Sequence, residues 1–270
     1  MEALRQVDAW PAPFAAAGVV RRDGSQETHG DTSRVVRLAS VSKPVAALAL
    51  LVAAEEGVVD LDEPAGPPGS TVRHLLAHAS GLPFHGSTPI APPGKRRIYS
   101  NEGFRVLAEH LERRAEMPFA EYVREAICLP LGIGLDPSGD PGSGMHGSLS
   151  DVLAIGAELL APTLVAPETL EEMTSVQFPG LRGVLPDYGR FDPLDWGLGV
   201  QRNTRPPSWM GARASSQAFG HFGGSGTLLW VDPAVGVACA ALATRDFGPW
   251  AKEVWPRLAD AVLEEEAARR

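Results

Sequence analysis

The chain has 270 residues, 44% of them hydrophobic, which is enough for one large domain or two small ones with a real core. Its formal net charge is −9, from 24 basic and 33 acidic residues, and its basic runs are no longer than Lys95-Arg96-Arg97, which argues against nucleic acid as a partner. No stretch is long and apolar enough to cross a membrane, and Met1 to Asp8 lacks the charged-then-apolar pattern of an export signal, so a cytoplasmic protein is expected. Cys128 and Cys239 lie in apolar contexts and read as buried free thiols.

In chain order, Phe14 to Arg22 reads as a strand and Asp23-Gly24 as a hairpin turn, with a second strand to about His29. Arg34 to Ala39 reads as a short strand leading into a helix that starts at about Ser40 and stops at Gly57. That helix is apolar all round, as a buried helix is. Ser70 or Thr71 can cap a short helix, Val72 to His78. Gly81 to Gly94 reads as loop. Asn101 to Ala115, Pro118 to Cys128, a segment from Ser150-Asp151 to Leu160, and one from about Pro167 to Thr174 read as helices. Strands return at Trp196 to Arg202, Ala218 to Phe222, Gly226 to Val231 and Val235 to Ala243. The C-terminus reads as a helix that Pro256 kinks or begins. Strands at both ends with helices between them predict an α+β fold: an antiparallel β-sheet flanked by helices, with an inserted, mostly helical subdomain. The expected division is residues 1–59 with 190–270 as the sheet-plus-helix part, and 60–189 as the helical part.

The buried helix carries the most informative residues. The chain holds only three lysines, Lys43, Lys95 and Lys252; its other 21 basic residues are arginines. Arginine cannot give up its proton in a protein, whereas a buried lysine can. A lysine kept at 43 therefore points to a base. Ser40 lies three residues before it, on the same helical face and at the positive end of the helix dipole. The plain alternative is a serine cap with a lysine reaching water.

Other motifs divide on inspection. His74 and His78 stand at i and i+4, as zinc ligands do, but Leu75 occupies the position of a metalloprotease's base and no third ligand stands out. They read as structural histidines. Gly142-Ser143-Gly144-Met145-His146-Gly147 matches G-x-G-x-x-G without a preceding strand, so it is not a dinucleotide site. Ser225 lacks the second glycine of a nucleophile elbow, where Thr227 stands. Tyr99 and Asn101 read either as a surface ring and a helix cap or as a phenol and an amide at the mouth of a cleft. Gly220-His221-Phe222-Gly223-Gly224-Ser225-Gly226 on a predicted strand marks either a bend or close approach by a ligand or another backbone.

Taken together, Ser40-Val41-Ser42-Lys43, His74 to Pro83, Pro93-Gly94 with Tyr99-Ser100-Asn101, Trp196 to Gly199 and Gly220 to Gly226 resemble the serine β-lactamase and penicillin-binding protein family, in its class C-like and esterase branch. The pieces occur in the family's order and span most of the chain. The resemblance implies the serine β-lactamase/DD-peptidase fold and an acyl-enzyme mechanism without metal or organic cofactor. Ser40 resembles the nucleophile, Lys43 the group that accepts its proton or lowers the cost of losing it, and Tyr99 a second base held as phenolate by Lys43. Asn101 would hold the substrate, and the N–H groups of Ser40 and Gly224 would form the oxyanion hole. His221-Phe222-Gly223 stands where the family often has Lys-Thr-Gly, so a cation and a hydroxyl are replaced beside the scissile bond. The expected activity is hydrolysis of a small, uncharged ester or amide. A β-lactamase or D-alanyl-D-alanine carboxypeptidase is the alternative on the same machinery, and a non-catalytic small-molecule-binding protein the alternative of another class.

Overall fold

A computed structural model describes residues 1–269. The short strands β1 (Ala15–Arg21) and β2 (Gln26–His29) form the first hairpin. Two-residue strands β3 (Val36–Arg37), β4 (Arg97–Ile98) and β5 (His146–Gly147) follow, then β6 (Gly183–Leu185) and β7 (Gly189–Phe191). The chain closes with β8 (Gln201–Arg202), β9 (Phe219–Gly223), β10 (Thr227–Asp232) and β11 (Val237–Ala243). The main sheet is antiparallel with strand order β2-β1-β11-β10-β9-β8, so the two ends of the chain meet at the β1–β11 pair. β4, β6 and β7 form a separate three-stranded sheet, and β3 pairs with β5.

Side chains alternate across the central strands as a two-period requires. Leu229 and Val231 of β10, with Ala238, Ala240 and Leu242 of β11, enter one core. Leu228 and Trp230, with Val237, Cys239 and Ala241, enter a second core on the opposite face. Helices α1 (Ser42–Glu55), α2 (Val72–Leu76), α3 (Asn101–Ala115), α4 (Phe119–Val123), α5 (Leu129–Leu131), α6 (Leu149–Leu160) and α7 (Pro167–Thr174) lie on the side of the first core. The long α8 (Pro249–Arg269) and an N-terminal 3₁₀ segment, Glu2–Ala9, cover the second. Close packing of α6 on the sheet needs Gly156, where a Cβ would press on Ala238 and Leu229 at 3.1 and 3.2 Å.

Four expectations shift. The α-helix begins at Ser42, not Ser40; Ala39–Val41 form a 3₁₀ turn before it. Trp196 to Arg202 does not run as one strand. Gly199 there takes φ +75° and packs its backbone against Ala47 of α1, so only Gln201–Arg202 pairs with β9. The helix expected from Pro118 to Cys128 is α4 followed by a π-helical turn, Arg124–Cys128. Pro256 sits inside α8, which begins at Pro249, so it does not mark the start of the helix.

Candidate active site

The segment Leu38–Ser42 is tied down from several sides. Ser225 Oγ donates to the Arg37 carbonyl and Thr227 Oγ1 to the Leu38 carbonyl, each at 2.7 Å. Leu38 N–H donates to Met145 O at 2.9 Å, and Met145 N–H to Ser42 Oγ at 3.2 Å. Ser42 Oγ in turn donates to Ala39 O at 2.7 Å. Gly223 is the glycine this arrangement requires, because a Cβ there would lie 2.4 Å from the Leu38 carbonyl. The close approach expected of the glycine-rich strand is thus by backbone: the end of β9 meets the turn that carries Ser40. Within that turn Ala39 has φ +47°, a left-handed conformation that costs an alanine roughly 1–2 kcal/mol. The surrounding hydrogen bonds hold it there, directly before Ser40.

Lys43 projects from the first turn of α1 and is completely buried. Its Nζ lies 2.6 Å from Asn101 Oδ1, 2.8 Å from the Gly142 carbonyl and 3.3 Å from Ser40 Oγ. Burial pulls its pKa down to about 7, against a smaller upward pull from Asp140. As an ammonium, Nζ can donate to all three; as a neutral amine it keeps two of these donors. Its two N–H groups donate to Asn101 and Gly142, and its lone pair then faces the Ser40 hydroxyl. Asn101 is free for this because Ser100, not Asn101, caps α3, its Oγ accepting from Gly103 N–H at 2.8 Å.

Tyr99 is buried beside this pair, with Lys43 Nζ over its ring at 4.6 Å from the centroid. The amine therefore meets the ring face and not the phenolic oxygen. Burial pushes the phenol pKa well above its ordinary value, opposed by a hydrogen bond from Ser40. Tyr99 is a neutral phenol here, which departs from the phenolate that the resemblance implied.

His221 faces the same group from β9. Its Nδ1–H donates to the Phe222 carbonyl at 2.7 Å, which leaves Nε2 bare to accept the Tyr99 hydroxyl at 3.3 Å. Burial, helped by Lys43, pulls its pKa down to about 3, so it is neutral at pH 7. Phe222 points the other way. Alternation along β9 sends its ring to the α8 face, stacked on Phe247 at 5.1 Å and edge-on to Tyr188 and Trp209. Its expected place among the substrate-binding residues is corrected accordingly: it belongs to an aromatic cluster behind the strand. Gly224 follows at the strand end, with open space where a side chain would be.

One contributor lay outside the sequence reading, and another was read there as structural. Gly142, in the glycine-rich stretch set aside as a dinucleotide site, supplies its carbonyl to Lys43; a backbone acceptor leaves no mark in residue type. His78 stacks on Tyr99 at 4.6 Å and edge-on to Trp196 at 4.7 Å, and its Nδ1 accepts the Ser100 N–H at 3.2 Å. His74 instead bonds Thr71 and packs on Phe178. The two histidines thus serve separate structural contacts.

Residues 8–264 match the family described as Beta-lactamase. The chain belongs to that family. Among solved structures, a β-lactamase from Mycobacterium bovis is 50% identical, covers 98% of this chain and 99% of its own, and superposes with a TM-score of 0.96. Penicillin-binding protein 4* of Bacillus subtilis is 28% identical over 205 residues; the match takes in 60% of this chain and 45% of that protein, so this β-lactamase-family chain matches less than half of its relative's length. Simvastatin synthase from Aspergillus terreus shares the fold at 17% identity, with a TM-score of 0.78, 98% of this chain and 97% of its own being covered. Among the described residues, no helix of this family member is long and apolar enough to cross a membrane.

Proposed function

We propose that this protein is a serine hydrolase that cleaves a small ester or amide through a covalent acyl-Ser40 intermediate. The observation that carries the reading is the buried Lys43 amine, whose two N–H groups are taken by Asn101 and Gly142 while Ser40 Oγ stands 3.3 Å away. In this mechanism Ser40 Oγ bonds to the substrate carbonyl carbon as its proton passes to Lys43 Nζ. The carbonyl oxygen becomes an oxyanion between the N–H groups of Ser40 and Gly224. Collapse breaks the bond to the leaving group, which takes the proton from Lys43, with the Tyr99 phenol beside Ser40 to hand it on. Water then attacks the acyl carbon with the roles reversed. Asn101 Nδ2, on the far side of the amide from Lys43, is left to hold a substrate carbonyl.

The 50% identity to the Mycobacterium bovis β-lactamase supports a second reading, turnover of β-lactams or D-alanyl-D-alanine peptides on the same residues. A carboxylate beside the scissile bond finds a neutral His221 here, with a pKa pulled down to about 3. Such a group loses hydration with less in return, which favours uncharged esters at that position.

Intact-mass spectrometry after treatment with a fluorophosphonate tests the mechanism. One adduct is expected, mapping to Ser40 and absent in Ser40→Ala. An adduct that survives that substitution, or that maps to Ser80 or Ser225, ends the assignment.

A further inference from the structure

The small sheet β4–β6–β7 stands at the mouth of the site, and its outer face is unusually basic for a chain of net charge −9. Arg97 turns inward and is buried. By alternation Arg96 and Ile98 turn outward. β6 runs parallel to β4 with Ile98 beside Val184, so Arg182 and Val184 share that outer face; Arg190, opposite Val184 on β7, joins them. Arg96, Arg182 and Arg190 line one hollow of about 470 Å³ together with Val184, Phe191 and Asp192. All three arginines are exposed. Among the described residues none of their guanidinium groups makes an ion pair or a hydrogen bond, although Asp192 lies in the same hollow. Three like charges held together without partners repel one another, and an anion at their centre removes that cost. Guanidinium groups also match the oxygens of carboxylate, phosphate or sulfonate in pairs.

A second cavity, of about 510 Å³, adjoins this hollow and leads from it to Tyr99. It shares Arg96 and Val184 with the first, reaches Tyr99 at its inner end, and is walled by Phe84, Ile90 and Pro186. Phe84 and Ile90 are exposed apolar side chains on the loop after Gly81, and Phe84 stacks on Tyr99 at 5.8 Å. Backbone bonds fix that loop: Asn101 and Glu102 N–H donate to Phe84 O, and Ile90 N–H donates to Gly81 O. Asp187 is the acid at this cavity's edge. From Tyr99 back to Arg96 is three extended residues, roughly 10 Å. A largely apolar wall therefore runs from the Tyr99 ring to Arg96, the arginine that the two cavities share.

We propose that these two cavities form one elongated subsite, for an ester or amide whose apolar segment passes Tyr99 and ends in an anionic oxygen group about 10 Å beyond it. The proposal rests on the Ser40 hydrolase reading and names the substrate class for it. It also separates two positions of charge: an anion next to the reacting carbonyl meets neutral His221, whereas an anion at the far end meets Arg96, Arg182 and Arg190. The negative surface elsewhere repels such a substrate, which concentrates it at this patch.

The test uses p-nitrophenyl monoesters of linear dicarboxylic acids, from succinate to sebacate, each beside its ω-methyl ester. With the wild-type protein the free carboxylate should lower KM about tenfold at an intermediate chain length, the effect of one good charge-assisted contact. The gap should shrink as salt is added. In Arg96→Gln/Arg182→Gln/Arg190→Gln, folded by circular dichroism, the ratio between the paired esters should fall to about one. Equal KM for both members of every pair, or a preference that survives the triple substitution, overturns the proposal. Calorimetric binding of suberate monoanilide and its methyl ester to Ser40→Ala keeps the two readings apart. If no ester is cleaved, the hydrolase reading falls, and tighter binding of the free acid still upholds the subsite; equal binding sinks it.

Discussion

Among the described residues Lys43 and Arg97 are buried cations, and they are used in opposite ways. Arg97 has an acceptor for each edge of its guanidinium: Nε donates to Leu194 O at 3.1 Å, Nη1 to Ala77 O at 2.5 Å, and Nη2 to Gln177 O at 2.6 Å and Phe178 O at 3.3 Å. It ties three chain segments to β4. Burial lowers its pKa to about 10, which still leaves it charged at neutral pH. Lys43 has two firm acceptors and one longer contact, to a hydroxyl, and burial brings its pKa to about 7. The same desolvation thus yields a fixed strut from one residue and a proton acceptor from the other. Side-chain chemistry decides which: the guanidinium holds its proton and satisfies many carbonyls, while the amine releases its own.

The largest expected effects divide along that line. Lys43→Met keeps the length and removes the base, and should cut ester turnover by roughly 10²–10⁴. Its thermal midpoint should stay closer to wild type than that of Arg97→Met. Removing Arg97 leaves buried carbonyls without donors and should cost on the order of 3–5 kcal/mol of stability. Steady-state kinetics beside thermal unfolding of both variants checks this. If Lys43→Met unfolds as readily as Arg97→Met, the contrast between base and strut is lost.

Tyr99→Phe sharpens the comparison at the next scale down. The ring face that Lys43 touches remains, while the hydroxyl between Ser40 and His221 goes. A neutral phenol that hands on a proton should be worth about 10² in rate, the lower end of acid–base catalysis. Its absence should leave the pH dependence set by Lys43 in place. Turnover close to wild type would confine the proton transfer to Lys43.

How far the sequence foretold this follows from what kind of signal each part leaves. Asn101–Ala115 and Pro167–Thr174 form helices with the bounds that periodicity, caps and an N-terminal proline mark. The hairpin at Asp23-Gly24 forms for the same local reason. The lysine count pointed to position 43 because scarcity of a residue type is visible without coordinates. Four things were not visible. β4, β6 and β7 are two or three residues long, too short for a two-period to show. Gly142 acts through its carbonyl, which every residue has. Phe222 could be placed on the pocket side or the core side only by the register of β9 against β10, where it pairs with Leu228, a residue of the second core. The arginines that line the outer hollow lie just before β4, just before β6 and within β7, and only the pairing of these strands brings Arg96 beside Arg182 and Arg190.

The smallest effect predicted concerns Asp140, and its sign follows from the charge it places near Lys43. Catalysis by this amine needs the neutral form, so the rate should rise with pH through about 7, where Lys43 loses its proton. Asp140 favours the protonated form and so holds that limb at higher pH than burial alone would. Its Oδ1 also accepts from Gly142 N–H at 3.0 Å and Ser143 Oγ at 2.8 Å, which shapes the turn that presents Gly142 O to Lys43. Asp140→Asn keeps an acceptor oxygen for both bonds and removes only the charge. The protonated amine then loses a stabilising partner, its pKa falls, and a larger share is neutral at pH 6. The acidic limb of kcat/KM should therefore move to lower pH with the plateau kept. Because Asp140 is exposed, the shift is small and added salt should produce part of it in the wild-type protein, with less change in the variant. A limb that stays in place, or moves to higher pH, would mean that the titrating group is not an amine under the influence of Asp140.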